Sequence, residues 1–299
     1  TMRNGVLFPG YYFPGERWNR ISKTITSRSD WDQQSIQELQ LESLNEVQPE
    51  IAKFLLGYIK REDFEMHSDA LEALQHWDGY HDLDAIAPTI YYKWQYHILR
   101  MAMEDELGEE AFDAYLETFI MVRSMSQFLH TDSNPWWDIK GTEAEETREQ
   151  IITAALKISL DELDSQFGKK TGDWKWKNAV ELEHPHPLGS QKPLDKIFNV
   201  KARPVAANEE SVNKLAFRLN GDGIYKVTSG PAMRIILDFG DVDASISVLP
   251  TGNSGNRFSK HYADQKDLYV KGRYRPQLMS EQEIKAKSKG KLVLTPADH

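Results

Sequence analysis

The sequence predicts an α+β protein, with a helical region followed by a β-rich region. From about Ser35 to Gly168, apolar residues recur at spacings of two to four, the mark of amphipathic helices. From Asp173 onward the period falls to two, and short apolar runs are separated by Gly and Asp turns. A chain of 299 residues with 40% hydrophobic and 11% aromatic content can build one large core or two domains. Three stretches follow: 1–34, irregular and punctuated by Gly10, Pro14 and Gly15; 35–170, helical; and 171–299, β-rich.

Each element has its own signal. Arg17, Arg20 and Ile21 lead into a short helix. Ile36, Leu39, Leu44, Val47, Ile51, Leu55 and Tyr58 predict one long helix bent at Pro49. Ala70–Trp77 reads as a helix stopped by Asp78-Gly79, and Asp84–Leu107 as another ended by Gly108. Glu110–Met125 continues the series. Thr142 with Glu145 three residues on predicts a capping box, ahead of a stripe made by Ile151, Ile152, Ala155, Leu156, Leu160 and Leu163. Phe217–Leu219, Ile224–Val227, Met233–Phe239 and Ile246–Leu249 read as strands, with Leu292–Leu294 as a last one.

Composition excludes several classes of function. The net charge of −10 disfavours a nucleic-acid partner. With 0 Cys, disulfides, thiolate catalysis and cysteine-based zinc sites are out. No apolar run approaches the ~20 residues of a membrane span. No signal peptide opens the sequence, and its start is expected to be the cut edge of a longer protein. His184 and His186, separated by Pro185, are poorly spaced for chelation, so no metal site is expected there. Ser254, in Gly252-Asn253-Ser254-Gly255, lacks the spacing of a nucleophile elbow, and His261 and Asp264 are read as turn residues rather than its triad partners.

Several patches, in order, carry a resemblance. They are Arg17-Trp18-Asn19-Arg20-Ile21; Trp77-Asp78-Gly79 followed by Ala87-Pro88, Ile90-Tyr91 and Trp94; Asp173-Trp174-Lys175-Trp176 followed by His186-Pro187-Leu188-Gly189; and the run from Ser229 to Pro276 containing G-N-S-G and S-K-H-Y-A-D-Q. Their order resembles the C-terminal part of the β-chain of penicillin amidases (penicillin acylases), which are N-terminal-nucleophile hydrolases. Lys177 and Val180 depart from the family pattern, standing where Gly and His are usual.

The resemblance implies strands of an αββα sandwich, with residues 1–34 leading out of the catalytic core. It implies hydrolysis of the amide between an acyl group and an amine, such as a β-lactam side chain as in antibiotic biosynthesis. The alternatives are an acylase for N-acyl-homoserine lactones or other N-acyl amides and, in another class, a non-catalytic binding domain. It implies a Ser nucleophile at a chain start freed by autoproteolysis of a precursor, upstream of this sequence; Thr1 does not fit that role. The partners would then be the rest of that precursor, the α-chain and the N-terminal part of the β-chain, and the location periplasmic or extracellular. Arg20 matches a supporting arginine beside the catalytic centre, its plain alternative being a salt-bridged surface residue. Tyr11, Tyr12, Phe13 and Trp18 would border the acyl pocket, with core packing as their alternative. No cofactor is implied, beyond a calcium ion in the full-length enzyme for which no ligands are identifiable here. The serine's free amine would relay the proton, while a backbone N–H and an Asn would hold the oxyanion.

Overall fold

The structure, a computed structural model, describes residues 2–3, 5–7, 12, 15–131, 134–206 and 208–296. Its helices are α1 (Glu16–Thr26), α2 (Gln33–Gln40), α3 (Gln48–Leu56), α4 (Ser68–Gln75), α5 (Ala87–Leu107), α6 (Glu109–Leu116), α7 (Phe119–His130), α8 (Arg148–Phe167), α9 (Trp176–Ala179), α10 (Asp195–Phe198), α11 (Lys266–Val270) and α12 (Glu281–Lys287). Its strands are β1 (Met2–Arg3), β2 (Val6–Leu7), β3 (Val180–His184), β4 (Val200–Arg203), β5 (Ala216–Phe217), β6 (Tyr225–Ser229), β7 (Arg234–Ile236), β8 (Ile246–Val248) and β9 (Arg275–Pro276). Two compact units interleave along the chain. The first comprises Thr1–Ser29, Glu42–Glu183 and Lys201–Gly230; the second comprises Asp30–Leu41, His184–Val200 and Pro231–His299.

The first unit is built around α5. Apolar and aromatic residues surround this helix on nearly every side, so Ile90, Tyr91, Trp94, Ile98 and Leu99 are all buried. It packs against α8, whose Ile152, Leu156, Leu160 and Leu163 are also inaccessible. The Trp94 indole N–H donates to the Ile152 carbonyl at 2.9 Å, which satisfies the one polar atom of that buried ring. A mixed four-stranded sheet in the order β4-β3-β6-β5 completes the unit, with β3 parallel and β5 antiparallel to β6. Trp176, at the start of α9, stacks on Tyr92 at 5.4 Å and also meets Tyr225 and Phe217, so an aromatic cluster joins α5 to the sheet.

The second unit holds the antiparallel sheet β7-β8-β9. The Gln40 amide of α2 donates to the Ile235 carbonyl of β7 at 3.1 Å and accepts from the Tyr274 hydroxyl at 2.6 Å. Gln265 is the tie of this unit: its Oε1 accepts from Leu249 N–H at 3.0 Å and from Arg275 Nε at 2.9 Å.

Local differences from the sequence expectation have physical causes. The predicted 36–58 helix is two helices, because Asn45 Oδ1 accepts from the N–H of both Val47 and Gln48, and so starts α3 afresh with Pro49 in its first turn. The capping box of α8 is Thr147 with Gln150, not Thr142 with Glu145; the Thr142 hydroxyl instead bonds the carbonyls of Ile139 and Ala144. Glu110–Met125 breaks after Leu116 into α6 and α7. Leu292–Leu294 forms no strand and stays exposed.

Gly79 ends the Trp77-Asp78-Gly79 turn at φ +94°, and a Cβ there would lie 2.1 Å from the Asn45 carbonyl oxygen. We expect Gly79→Ala to cost about 3 kcal/mol in urea denaturation, from left-handed strain and a backbone clash. Gly255→Ala, with nothing within 4 Å of its Cβ, should stay within ~0.5 kcal/mol of the parent.

Candidate functional site

Helix α1 carries the arginine singled out by the sequence. Glu16, Arg17 and Arg20 share a face at helical spacing, and each is held by a distant segment of the first unit. Arg20 grips Glu42 with two parallel bonds, Nε to Oε2 at 2.8 Å and Nη2 to Oε1 at 2.5 Å, and reaches Glu46 at 3.4 Å. The Glu42 carbonyl accepts from Asn213 N–H at 2.9 Å. Arg17 donates to the Val212 carbonyl at 3.3 Å, and Glu16 accepts from the Asn45 amide at 3.0 Å. Trp18 is 71% exposed and Tyr12 is exposed as well; Tyr11 and Phe13 lie outside the described residues.

Beneath this face lies a buried polar node centred on His81, which is fully inaccessible. His81 Nδ1 lies 3.1 Å from the Gly79 carbonyl oxygen, 3.2 Å from that of Ser43 and 3.1 Å from the Asn208 amide nitrogen; the two carbonyls favour a proton on Nδ1. Nε2 lies 3.1 Å from the Tyr92 hydroxyl, which also meets the Gln48 amide, and 3.4 Å from the Asn208 amide nitrogen. Ser43 Oγ accepts from His81 N–H and donates to Asp82, while Asn45 N–H donates to the Gly79 carbonyl at 3.0 Å. Asn208 Oδ1 accepts from Glu210 N–H at 2.8 Å. Burial pushes the imidazole pKa down to about 3, and the two carbonyl bonds offset this only in part; the ring is neutral.

Next to the node is a cavity of about 60 Å³. Carboxyls from two segments border it: Glu16 from α1, and Glu209 and Glu210 from the loop after β4. Burial pushes all three upward, and Glu210, with Glu16 and Glu209 as like-charged neighbours, rises to about 7. Lys214 and Arg17 pull Glu210 the other way without reversing the shift.

The remaining candidates have structural partners. Ser254 Oγ accepts from Asn256 N–H, while the Ser254 N–H donates to the His261 carbonyl at 3.1 Å; no bond joins the hydroxyl to the His261 ring. His261 does pair with Asp264 at 2.8 Å. Gly252 lets that turn close, since a Cβ would lie 2.1 Å from the His261 carbonyl oxygen. Ser259 Oγ accepts from His261 N–H, and α11 begins further on, at Lys266. His186 Nδ1 accepts from Leu188 N–H and its ring stacks on Phe198. Among the described residues, no group of three or more His, Asp or Glu is placed to hold a metal ion, and no helix is long and apolar enough to cross a membrane.

A family model described as penicillin amidase matches residues 3–286. The chain belongs to the penicillin amidase family. It is 26% identical over 335 aligned positions to the acyl-homoserine lactone acylase QuiP of Pseudomonas aeruginosa, covering 99% of this chain and 39% of that protein. It is 27% identical to the protein of the same name from Pseudomonas syringae pv. syringae, over 76% of this chain and 28% of that one. A thermostable penicillin G acylase from Alcaligenes faecalis shares the fold at a TM-score of 0.56 and 17% identity, over 97% of this chain and 54% of that one. The chain thus spans 39% or less of the two curated relatives' lengths.

Arg20 sits in the salt bridge that was its plain alternative, and the sequence marked neither its clamp Glu42 nor His81, Asn208 and the three glutamates. The Asn208-Glu209-Glu210-Ser211-Val212-Asn213 run was the available signal, because two Asn bracketing adjacent acids mark a turn that bonds its own backbone. Arg20→Gln leaves Glu42 nearly buried and without its fork, and should lower stability by about 2 kcal/mol in urea. Lys23→Gln, removing an exposed partner of Glu46, should change it by less than ~0.5 kcal/mol.

Proposed function

We propose that this chain is part of an enzyme that hydrolyses the amide bond between an acyl group and an amine. The observation that carries the proposal is the penicillin amidase match running along residues 3–286, nearly the whole chain. The names of the curated relatives favour an N-acyl-homoserine lactone over a β-lactam side chain as the substrate. In this reading the nucleophile lies N-terminal to these residues, on a serine freed by precursor processing. Lack of any bond between the Ser254 hydroxyl and the His261 ring supports placing it elsewhere. The partner is the remainder of the same precursor, and the working compartment is the periplasm or the exterior.

The present residues serve as framework in this proposal. Arg20 acts as a positioning residue: it holds Glu42, whose backbone fixes Asn213, and so sets the path of α1. Tyr12 and Trp18, exposed at that end, are the aromatic groups left to meet the acyl chain or the rest of the protein.

The test is amide hydrolysis, with phenylacetyl-p-nitroanilide and an N-acyl-homoserine lactone as substrates. The 299-residue chain alone should leave both intact. Produced within its complete reading frame, it should release amine from the lactone substrate. Turnover by the isolated chain would place the nucleophile inside it and contradict the assignment. An inert product of the complete frame would contradict the hydrolase proposal itself.

A further inference from the structure

We propose that the cavity beneath α1 binds a primary ammonium group carried on a short alkyl stem. The space, about 60 Å³, is several times the ~10–15 Å³ that one water needs on the same measure. Its lining combines acid with apolar surface: Glu16, Glu209 and Glu210 with Val47, Ile51, Met125, Phe217 and Leu219. That combination suits a cation with an apolar tail. A divalent metal prefers a cage of oxygens on all sides, which these walls do not supply.

Two observations besides the acidic cluster point to a missing occupant. Tyr91 is 1% exposed and lines the cavity, yet its hydroxyl has no hydrogen-bond partner among the described residues. Gln95, also buried, gives its N–H only to the sulfur of Met121, and its Oε1 has no partner among the described residues. Neither oxygen is among the buried atoms sealed without a partner, so each stays open to accept from what enters the cavity. Glu210, 6% exposed, likewise has a carboxylate without a hydrogen-bond partner among the described residues. An ammonium brings three donors and no acceptor, which matches a Glu carboxylate, an amide oxygen and a phenol oxygen. Tyr91 and Tyr92 in the lining add aromatic rings, a residue type that attracts a cation.

The charges already present leave room for one more cation. Arg17 donates to a backbone carbonyl, and Lys214 stands 3.9 Å from Glu209. Glu16 has one oxygen on Asn45. Among the described residues, no cation is paired with Glu210. An incoming ammonium would favour its ionised form and displace a proton at neutral pH.

A free amine and a lysine side chain share this chemistry, and two probes separate these sources. The 299-residue chain is titrated calorimetrically with n-butylammonium and with N-acetyl-lysinamide, with n-butanol as the uncharged control. Saturable binding of butylammonium but not butanol is expected, weakening about tenfold for each pH unit below about 7. Binding of butylammonium alone assigns a small free amine; binding of the lysine amide as well, or alone, assigns a lysine on a peptide. Glu210→Gln, which keeps size and removes charge, should weaken binding at least tenfold and flatten the pH dependence. Tyr91→Phe, which keeps the ring, should weaken it with the fold intact by circular dichroism. Equal affinity for butanol, unchanged binding in Glu210→Gln, or no binding by either amine overturns the proposal.

Discussion

The buried imidazole of His81 is the constraint on which the first unit depends. It joins three chain segments that no local rule would bring together: residues 43–48, the turn at 79–82 and the loop from 208. A ring sealed from water must have its polar atoms satisfied, because leaving one unpaired costs on the order of 1–3 kcal/mol. The ring therefore gathers the carbonyls of Ser43 and Gly79, the Tyr92 hydroxyl and the Asn208 amide around its two nitrogens. The identity of these partners fixes how the segments pass one another, as an apolar contact of the same size would not. Asn45 extends this order outward by starting α3 with one side-chain oxygen while its own N–H holds the Gly79 carbonyl. Helix α1 is then hung on the result through Glu16, Arg17 and Arg20.

The same burial acts in opposite senses on neighbouring groups. It removes the charge of His81, because protonation would create a cation far from water, and it favours the protonated form of Glu210, because ionisation would create an anion there. The folded-state pKa of His81 lies below its unfolded value, so this residue's contribution to stability falls as pH drops from about 6.5 toward 3. Glu210 is raised, so its contribution is full below its unfolded value of 4.5 and is lost as pH rises toward 7. The two windows overlap and oppose each other across mildly acid pH. An occupant that pairs with the ionised carboxylate would relieve the second cost while leaving the first untouched.

Much of the helical framework was legible because it rests on period and punctuation. The stripe of α8 and the span of α5 ending at Gly108 appear where spacing puts them. The errors occurred where a side chain overrides the period. Asn45 restarts a helix that continuous apolar spacing joined, and Thr147 rather than Thr142 offers an oxygen to the first turn of α8. Leu292–Leu294 has an apolar pattern but no pairing partner, and a strand exists only by pairing. At the site, Arg20 could be picked out by its place among collinear patches, whereas its clamp Glu42 lies 22 residues away and Asn208 lies 127 from His81. Such contacts leave no mark on local periodicity, and a lone buried His looks like any other in sequence.

Membership in the penicillin amidase family gives this framework its context, with a scaffold of packed helices and short sheets holding one arginine-bearing helix in place. Most of this depends on the node being buried and neutral. Nitrogen-15 and proton NMR of the His81 ring, followed from pH 8 to pH 4.5, tests it directly. The account predicts a neutral imidazole protonated at Nδ1 throughout, since its pKa is held at about 3. A ring that titrates near the ordinary value of 6.5, or carries its proton on Nε2, would contradict it.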